Sequence, residues 1–301
     1  MSTATSTAAA AATSNYYGAS PWMRALRLLL AASERAWPAM GVRAAHRLFG
    51  TPLPLKWLNR PDGPGAEWQR EAWAFEQTSL GLYAPIASMP DAPLVLLVHG
   101  WGGHAGQMVP LAQTLAAAGL SPLLLEMPAH GRSDGTASNL AQFARAIEYV
   151  TARLALEGSP LKAIAAHSLG ANALAYAASR GARAERLVLL APPASPHAFT
   201  RYFAHVFGLS ERTRAAMQHR IEAREGILMP LLEPAAVGPR IVQPTLVVHD
   251  RDDRVNRFAD GVAYRDAIAG ARLVATEALG HRRILRDPPV LQQVTAFIAA
   301  A

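Results

Sequence analysis

The chain has 301 residues, 51% hydrophobic and 17% charged, with no cysteine. That length and apolar content support a sizeable core, and the missing cysteines exclude disulfides, thiolate metal ligands and a cysteine nucleophile. The formal charge of +7 is local: residues 1–60 hold seven Lys/Arg against one Glu, while residues 61–301 hold 22 against 21 acidic residues. The body therefore lacks the basic stripe of a nucleic-acid binder, and no nucleic-acid partner is expected.

Residues 1–20 (MSTATSTAAAAATSNYYGAS) read as a disordered Ala/Ser/Thr tail without the charged start of a secretory signal. The apolar run from Leu26 to Ala32 contains Arg27 and is far too short to span a bilayer. A cytoplasmic location is the expectation. Residues 21–50 predict one or two amphipathic helices. Trp22, Leu26, Leu29 and Leu30 share one face with Arg24, Arg27 and Glu34 opposite, and Val42, Ala45, Leu48 and Phe49 repeat the pattern against Arg43, His46 and Arg47. Such helices dock on a main domain, the commoner fate, or lie peripherally on an anionic membrane surface. A Pro/Gly-rich linker at 51–65 (TPLPLKWLNRPDGPG) completes this N-terminal segment of residues 21–65.

From residue 66 onward, strands and helices alternate. WQREAWAFEQ predicts an edge strand and LGLYAPIAS its partner, and PLVLLVHG (93–100) is an uninterrupted apolar run suited to a strand buried on both faces. Helices at 106–118, 139–157, 169–179, 258–268 and 289–299 separate the strands PLLLEM, LKAIAA, RLVLLAP, PTLVVHD and ARLVATE. This pattern predicts an α/β fold with a mostly parallel central sheet flanked by helices. Residues 194–243 interrupt it as an insertion, expected to form a small helical lid. There Phe199, Tyr202, Phe203, Val206 and Phe207 form a helical stripe closed by Gly208, and Ser210 caps a second, mostly charged helix that ends at Gly226. The stripe suits either an acyl-binding pocket, with Phe199, Tyr202 and Phe203 as lining candidates, or simple core packing.

The chemistry concentrates at predicted strand ends. In LKAIAAHSLGANA (161–173), Ser168 falls in the tight turn between a strand and a helix, with the small residues Ala166 and Gly170 allowing close approach. Such a serine is either a helix cap or a nucleophile lifted above the sheet. HGWGG (99–103) supplies glycine-rich backbone donors, HDRDDRV (249–255) places three carboxylates on one loop, and LGHRRI (279–284) places a histidine after the last strand. Each alone is also a simple turn, a solvated acidic loop or a surface histidine. Together, in this order and each at a strand's carboxyl end, they point to one site.

These motifs, with EMPAHGRSDG (126–135), resemble the α/β-hydrolase superfamily over residues 66–301. The resemblance implies Ser168 as nucleophile, His281 as general base and then acid, and a loop carboxylate as the orienting group, in the chain order Ser, Asp, His. It favours Asp253 over Asp252, with Asp250 still at the strand end. It also implies the backbone N–H groups of Trp101 and Leu169 as an oxyanion hole, and a serine rather than an aspartate nucleophile excludes dehalogenase and epoxide-hydrolase chemistry. Ala166, Ala129 and Glu126 depart from the superfamily's usual Gly, Gly and Asp, but none removes a reacting group. His104, beside the expected oxyanion hole, is either a turn histidine or a substrate contact, and His167 is assigned no catalytic role.

The implied activity is hydrolysis of a small-molecule carboxylic ester with an apolar acyl group, without metal or other cofactor. A thioesterase or lysophospholipase-like acyl hydrolase at a membrane surface is the alternative, and a non-catalytic binding module is the reading from another class.

Overall fold

The computed structural model describes residues 21–53, 63–87 and 91–300. The expected tail at 1–20 and residues 54–62 of the expected linker lie outside the described residues, as does the side chain of Trp22. Among the described residues no helix is long and apolar enough to cross a membrane.

The chain divides into two compact units, one of residues 51–194 and 232–301 and the other of residues 1–50 and 195–231. In the larger unit the strands are β1 (Trp68–Phe75), β2 (Thr78–Pro85), β3 (Leu94–Val98), β4 (Ser121–Glu126), β5 (Leu161–His167), β6 (Arg186–Leu190), β7 (Thr245–Asp250) and β8 (Arg272–Thr276). They form one sheet in the order β1-β2-β4-β3-β5-β6-β7-β8. The first hairpin and the β2–β4 pair are antiparallel, and all later neighbours are parallel. The parallel pairs follow from the sequence, because strands joined through helices cannot return as tight hairpins.

The continuous apolar runs occupy the sheet's middle: Val95 to Val98 and Ala163 to Ala166 are fully buried. Helices α3 (Val109–Ala117), α4 (Leu140–Leu156), α5 (Leu169–Ser179), α8 (Pro234–Val237), α9 (Phe258–Ala267), α10 (Gly280–Arg283) and α11 (Pro288–Ala299) belong to this unit. On one face of the sheet Leu97, Val188 and Val248 pack with Leu111 and Leu115 of α3 and Val294 and Ile298 of α11.

The smaller unit contains α1 (Pro21–Ala36) and α2 (Pro38–Phe49), together with α6 (Pro196–Phe207) and α7 (Glu211–Glu225). The N-terminal helices thus pack with residues 195–231, whereas the rest of the expected insertion, 232–243, belongs to the sheet unit. Leu30, Ala45, Phe203, Val206, Phe207 and Met217 make its interior, with Phe203 edge-on to Phe49 at 5.2 Å. One expected face needs correcting. Leu26 and Leu30 turn inward, but Leu29 is 68% exposed, because it lies about 100° round the helix from the buried Leu30 and so at the edge of the inward face. Gly208 and Gly226 close α6 and α7 in left-handed conformations, at φ 66° and 67°, and the Ser210 hydroxyl accepts from the Thr213 N–H as cap. The charged α7 packs because its buried Arg214 is fully engaged, by Glu211, Thr200 and Gln218.

Candidate active site

Ser168 joins β5 to α5 at φ 53° and ψ −125°, a left-handed conformation that L-residues avoid. A residue held there costs on the order of 1–3 kcal/mol and persists only when its surroundings over-determine it. They do so by close approach. A Cβ on Gly170 would stand 2.4 Å from the His99 carbonyl oxygen, and one on Gly100 would stand 2.8 Å from the Ser168 Cβ. The Ser168 N–H donates to the Leu190 carbonyl at 2.9 Å, and Ala166 is accommodated fully buried. Ser168 occupies the position that caps α5, yet its side chain makes no capping hydrogen bond. Its hydroxyl turns to a histidine instead.

That histidine is His281, on α10. Its Nδ1 lies 2.7 Å from Asp253 Oδ2 and its Nε2 lies 3.0 Å from Ser168 Oγ. A carboxylate only accepts, so Nδ1 carries the proton and Nε2 accepts from the serine hydroxyl. Asp253 Oδ1 is fixed by the N–H groups of Val255 at 2.7 Å and Asn256 at 3.0 Å. Burial pushes the Asp253 carboxyl up, but hydrogen bonds from His249, His281 and Val255 and the His281 charge outweigh it and hold it well below the usual carboxylate range.

The other two aspartates of the loop hold the turn that carries the histidine. Asp250 accepts from the N–H groups of Leu279 at 3.1 Å and Gly280 at 2.8 Å, and from the Thr276 hydroxyl at 2.7 Å. Asp252 accepts from the Ala278 N–H at 2.8 Å. Burial raises the Asp250 carboxyl, and its hydrogen bonds from Thr276, Gly280, Leu279 and Asp252 reverse that and lower it.

On the opposite side, buried histidines shape the HGWGG turn. His99 Nδ1 donates to the Gly100 carbonyl at 2.7 Å, and its Nε2 accepts from the Met127 N–H at 3.1 Å. His130 Nδ1 donates to the Pro128 carbonyl, and its Nε2 accepts from the Gly102 N–H at 2.9 Å, so that N–H is committed. Glu126, itself buried, accepts from the Ala105 and Arg132 N–H groups and from the Tyr83 hydroxyl. Burial and then the Glu126 charge push that phenol up to about 12. His104 sits in the turn just before the short 3-10 helix Ala105–Met108, and burial lowers its pKa.

Several neighbours of the serine and histidine give little sign of their place in the sequence. His167 Nε2 donates to the His281 backbone carbonyl at 2.9 Å, and the two rings lie 4.6 Å apart. Burial, and then the adjacent His281, lowers His167 to about 3. Asn256 Nδ2 donates to the Ala191 carbonyl at 2.7 Å and stands 3.4 Å from Ser168 Oγ. His249 Nε2 donates to the Asn256 carbonyl at 3.1 Å, with Asp253 Oδ2 at 3.5 Å. His249 and Asn256 flank the quoted aspartates, so proximity to that loop is the one signal that could have found them. In the smaller unit, Phe203 and Tyr202 pack with the interior cluster, and Phe199 remains half-buried. Among the described residues no group of three or more His, Cys, Asp or Glu is arranged to hold a metal ion.

Residues 90–230 match the family of serine aminopeptidases, S33. No curated protein sequence matches the chain. Solved structures do. The Pyrococcus furiosus esterase Pf2001 superposes with a TM-score of 0.60 at 16% identity, covering 80% of this chain and 98% of that one. Est1E from Butyrivibrio proteoclasticus, bound to ferulic acid, gives 0.58 at 21% identity, with 76% and 96% covered. A bacterial membrane phospholipase A gives 0.59 at 18% identity and covers 91% of this chain and 96% of its own. Strand order and these structures together show that the chain has the α/β-hydrolase fold.

Proposed function

We propose that the protein is a serine hydrolase that cleaves carboxylic esters through an acyl-enzyme on Ser168. The observation that carries this reading is the continuous hydrogen-bonded row from Asp253 through His281 to Ser168, at 2.7 and 3.0 Å. His281 Nε2 takes the serine proton as Oγ attacks the ester carbonyl carbon, and Asp253 stabilises the imidazolium that forms. The N–H groups of Leu169, at the start of α5, and of Trp101 hold the oxyanion of the tetrahedral intermediate. Collapse of that intermediate expels the alcohol, which takes the proton from His281. Water, activated by the same ring, then releases the acid.

Hydrolysis of p-nitrophenyl esters from acetate to laurate, by the wild-type chain and by Ser168→Ala, tests the reading. Turnover in the wild type that falls by at least about 10⁴-fold in the variant is the expected result. Thioesters, amides and phospholipid esters belong in the same panel, because the matching family is a serine aminopeptidase one and the similar folds include a thioesterase domain and a membrane phospholipase A. A chain inert toward all of them would be a binding module on a hydrolase fold.

A further inference from the structure

The helical unit is one-sided in charge. Residues 1–50 and 195–231 hold ten arginines against four glutamates, so they carry six of the chain's seven net positive charges. Within this unit α2 and α7 border an open groove of about 620 Å³ whose lining includes Ala39, Val42, Arg43, His219, Arg220 and Arg224. Among the described residues, no carboxylate pairs with Arg43 or Arg220, and Arg224 reaches only Glu225, at 3.8 Å. Arg43 and Arg220, with no carboxylate partner, and Arg224, with only a long one, stand around a small-residue floor and leave planar donor forks available for phosphate oxygens.

The same two N-terminal helices and the residue that joins them expose large apolar side chains in a short stretch: Leu28 is 72% exposed, Leu29 68%, the joining Trp37 64% and Met40 60%. Trp37, Met40 and Arg43 follow one another at three-residue spacing, which sets the indole and the thioether beside a groove arginine. Exposed apolar side chains bordered by arginines, with a tryptophan among them, match the chemistry of a bilayer interface: anionic headgroups above, acyl chains below.

We propose that this helical unit docks the protein peripherally on an anionic phospholipid surface. Arg43, Arg220 and Arg224 take the headgroup phosphates, and Leu28, Leu29, Trp37 and Met40 insert among the upper acyl carbons. The charge excess and the apolar exposure are independent observations that meet in one unit, and either alone would fit an acidic protein or a second apolar surface equally well. The inference stands apart from the acyl-transfer reading, since surface binding is measured without turnover.

Flotation of the full chain with vesicles of phosphatidylcholine, with and without added phosphatidylglycerol, tests it. The wild type should float with the phosphatidylglycerol vesicles and release at high salt. The double charge reversal Arg43→Glu/Arg220→Glu should weaken that partition at least about tenfold, since each arginine near an anionic surface contributes roughly fivefold. Trp37→Ala/Met40→Ser should weaken it as well. All four positions are solvent-exposed, so these variants should melt like the wild type and hydrolyse a soluble ester at its rate. A wild type that ignores phosphatidylglycerol, or reversal variants that float as it does, would overturn the proposal and leave an acidic protein as the occupant of the groove.

Discussion

Ser168 is held where its backbone would not rest by itself, and the hydroxyl is the beneficiary. The left-handed φ turns the side chain away from the cap of α5 and toward His281. The three loop aspartates divide the remaining labour: Asp253 orients the imidazole, while Asp250 and Asp252 hold the backbone of the turn before it. Kinetics of the separate variants can read this division. Asp253→Asn should reduce kcat by about 10⁴-fold, because an amide no longer enforces the Nδ1–H tautomer. Asp252→Ala loses one N–H contact, and should cost only about 1 kcal/mol of stability with most of kcat retained. Equal losses of kcat in the two variants would reverse the assignment.

Two buried histidines make acid the weak side of the molecule. Burial lowers His99 to about 4 and His167 to about 3, whereas an unfolded histidine titrates near 6.5. Below pH 6.5 the unfolded chain therefore binds protons that the folded chain refuses, so stability falls as pH drops from about 6.5 toward 4. The lowered carboxyls of Asp250 and Asp253 add to the loss only below about pH 4, where unfolded aspartates begin to take up protons. Urea midpoints measured from pH 7 to 4.5 should decline, and His167→Gln, whose amide can still donate to the His281 carbonyl, should flatten the slope by up to one proton. An unchanged slope would mean that His167 is charged in the fold.

At the scale of elements, the junction of β5 and α5 depends on absent side chains. Gly170→Ala would drive a methyl into the His99 backbone carbonyl, which has no flexible end to yield. The strand and helix must then separate, for about 1–3 kcal/mol of stability. Because a displacement of about 1 Å at a reacting group can remove a hundredfold in rate, kcat/KM should fall by that order. A variant with wild-type kcat/KM would show that the close approach is not what sets the serine. The elements themselves were legible in the sequence, since continuous apolar runs such as PLVLLVHG cannot serve as surface strands, and Gly208, Ser210 and Gly226 mark their helix ends by simple backbone chemistry. The roles of His167, His249 and Asn256 were not. Each makes its contact across 60 or more residues or within a loop whose path the residue types do not determine.

Across the whole molecule, the hardest feature to foresee was which segments fold together. The stripe Tyr202, Phe203, Val206 and Phe207 announces a buried face, but period alone does not say what covers it. The answer is a pair of helices from the start of the chain, and a stripe open to two readings is spent largely on their interior. One consequence concerns time rather than energy. The halves of that interior are separated by residues 51–194, an entire run of sheet-forming chain. A ribosome adding about 5–20 residues per second needs roughly ten to thirty seconds to deliver the second half. During that interval α1 and α2 emerge with Leu30 and Ala45 uncovered, so the newborn chain offers a chaperone a bare apolar face well before Ser168 is made.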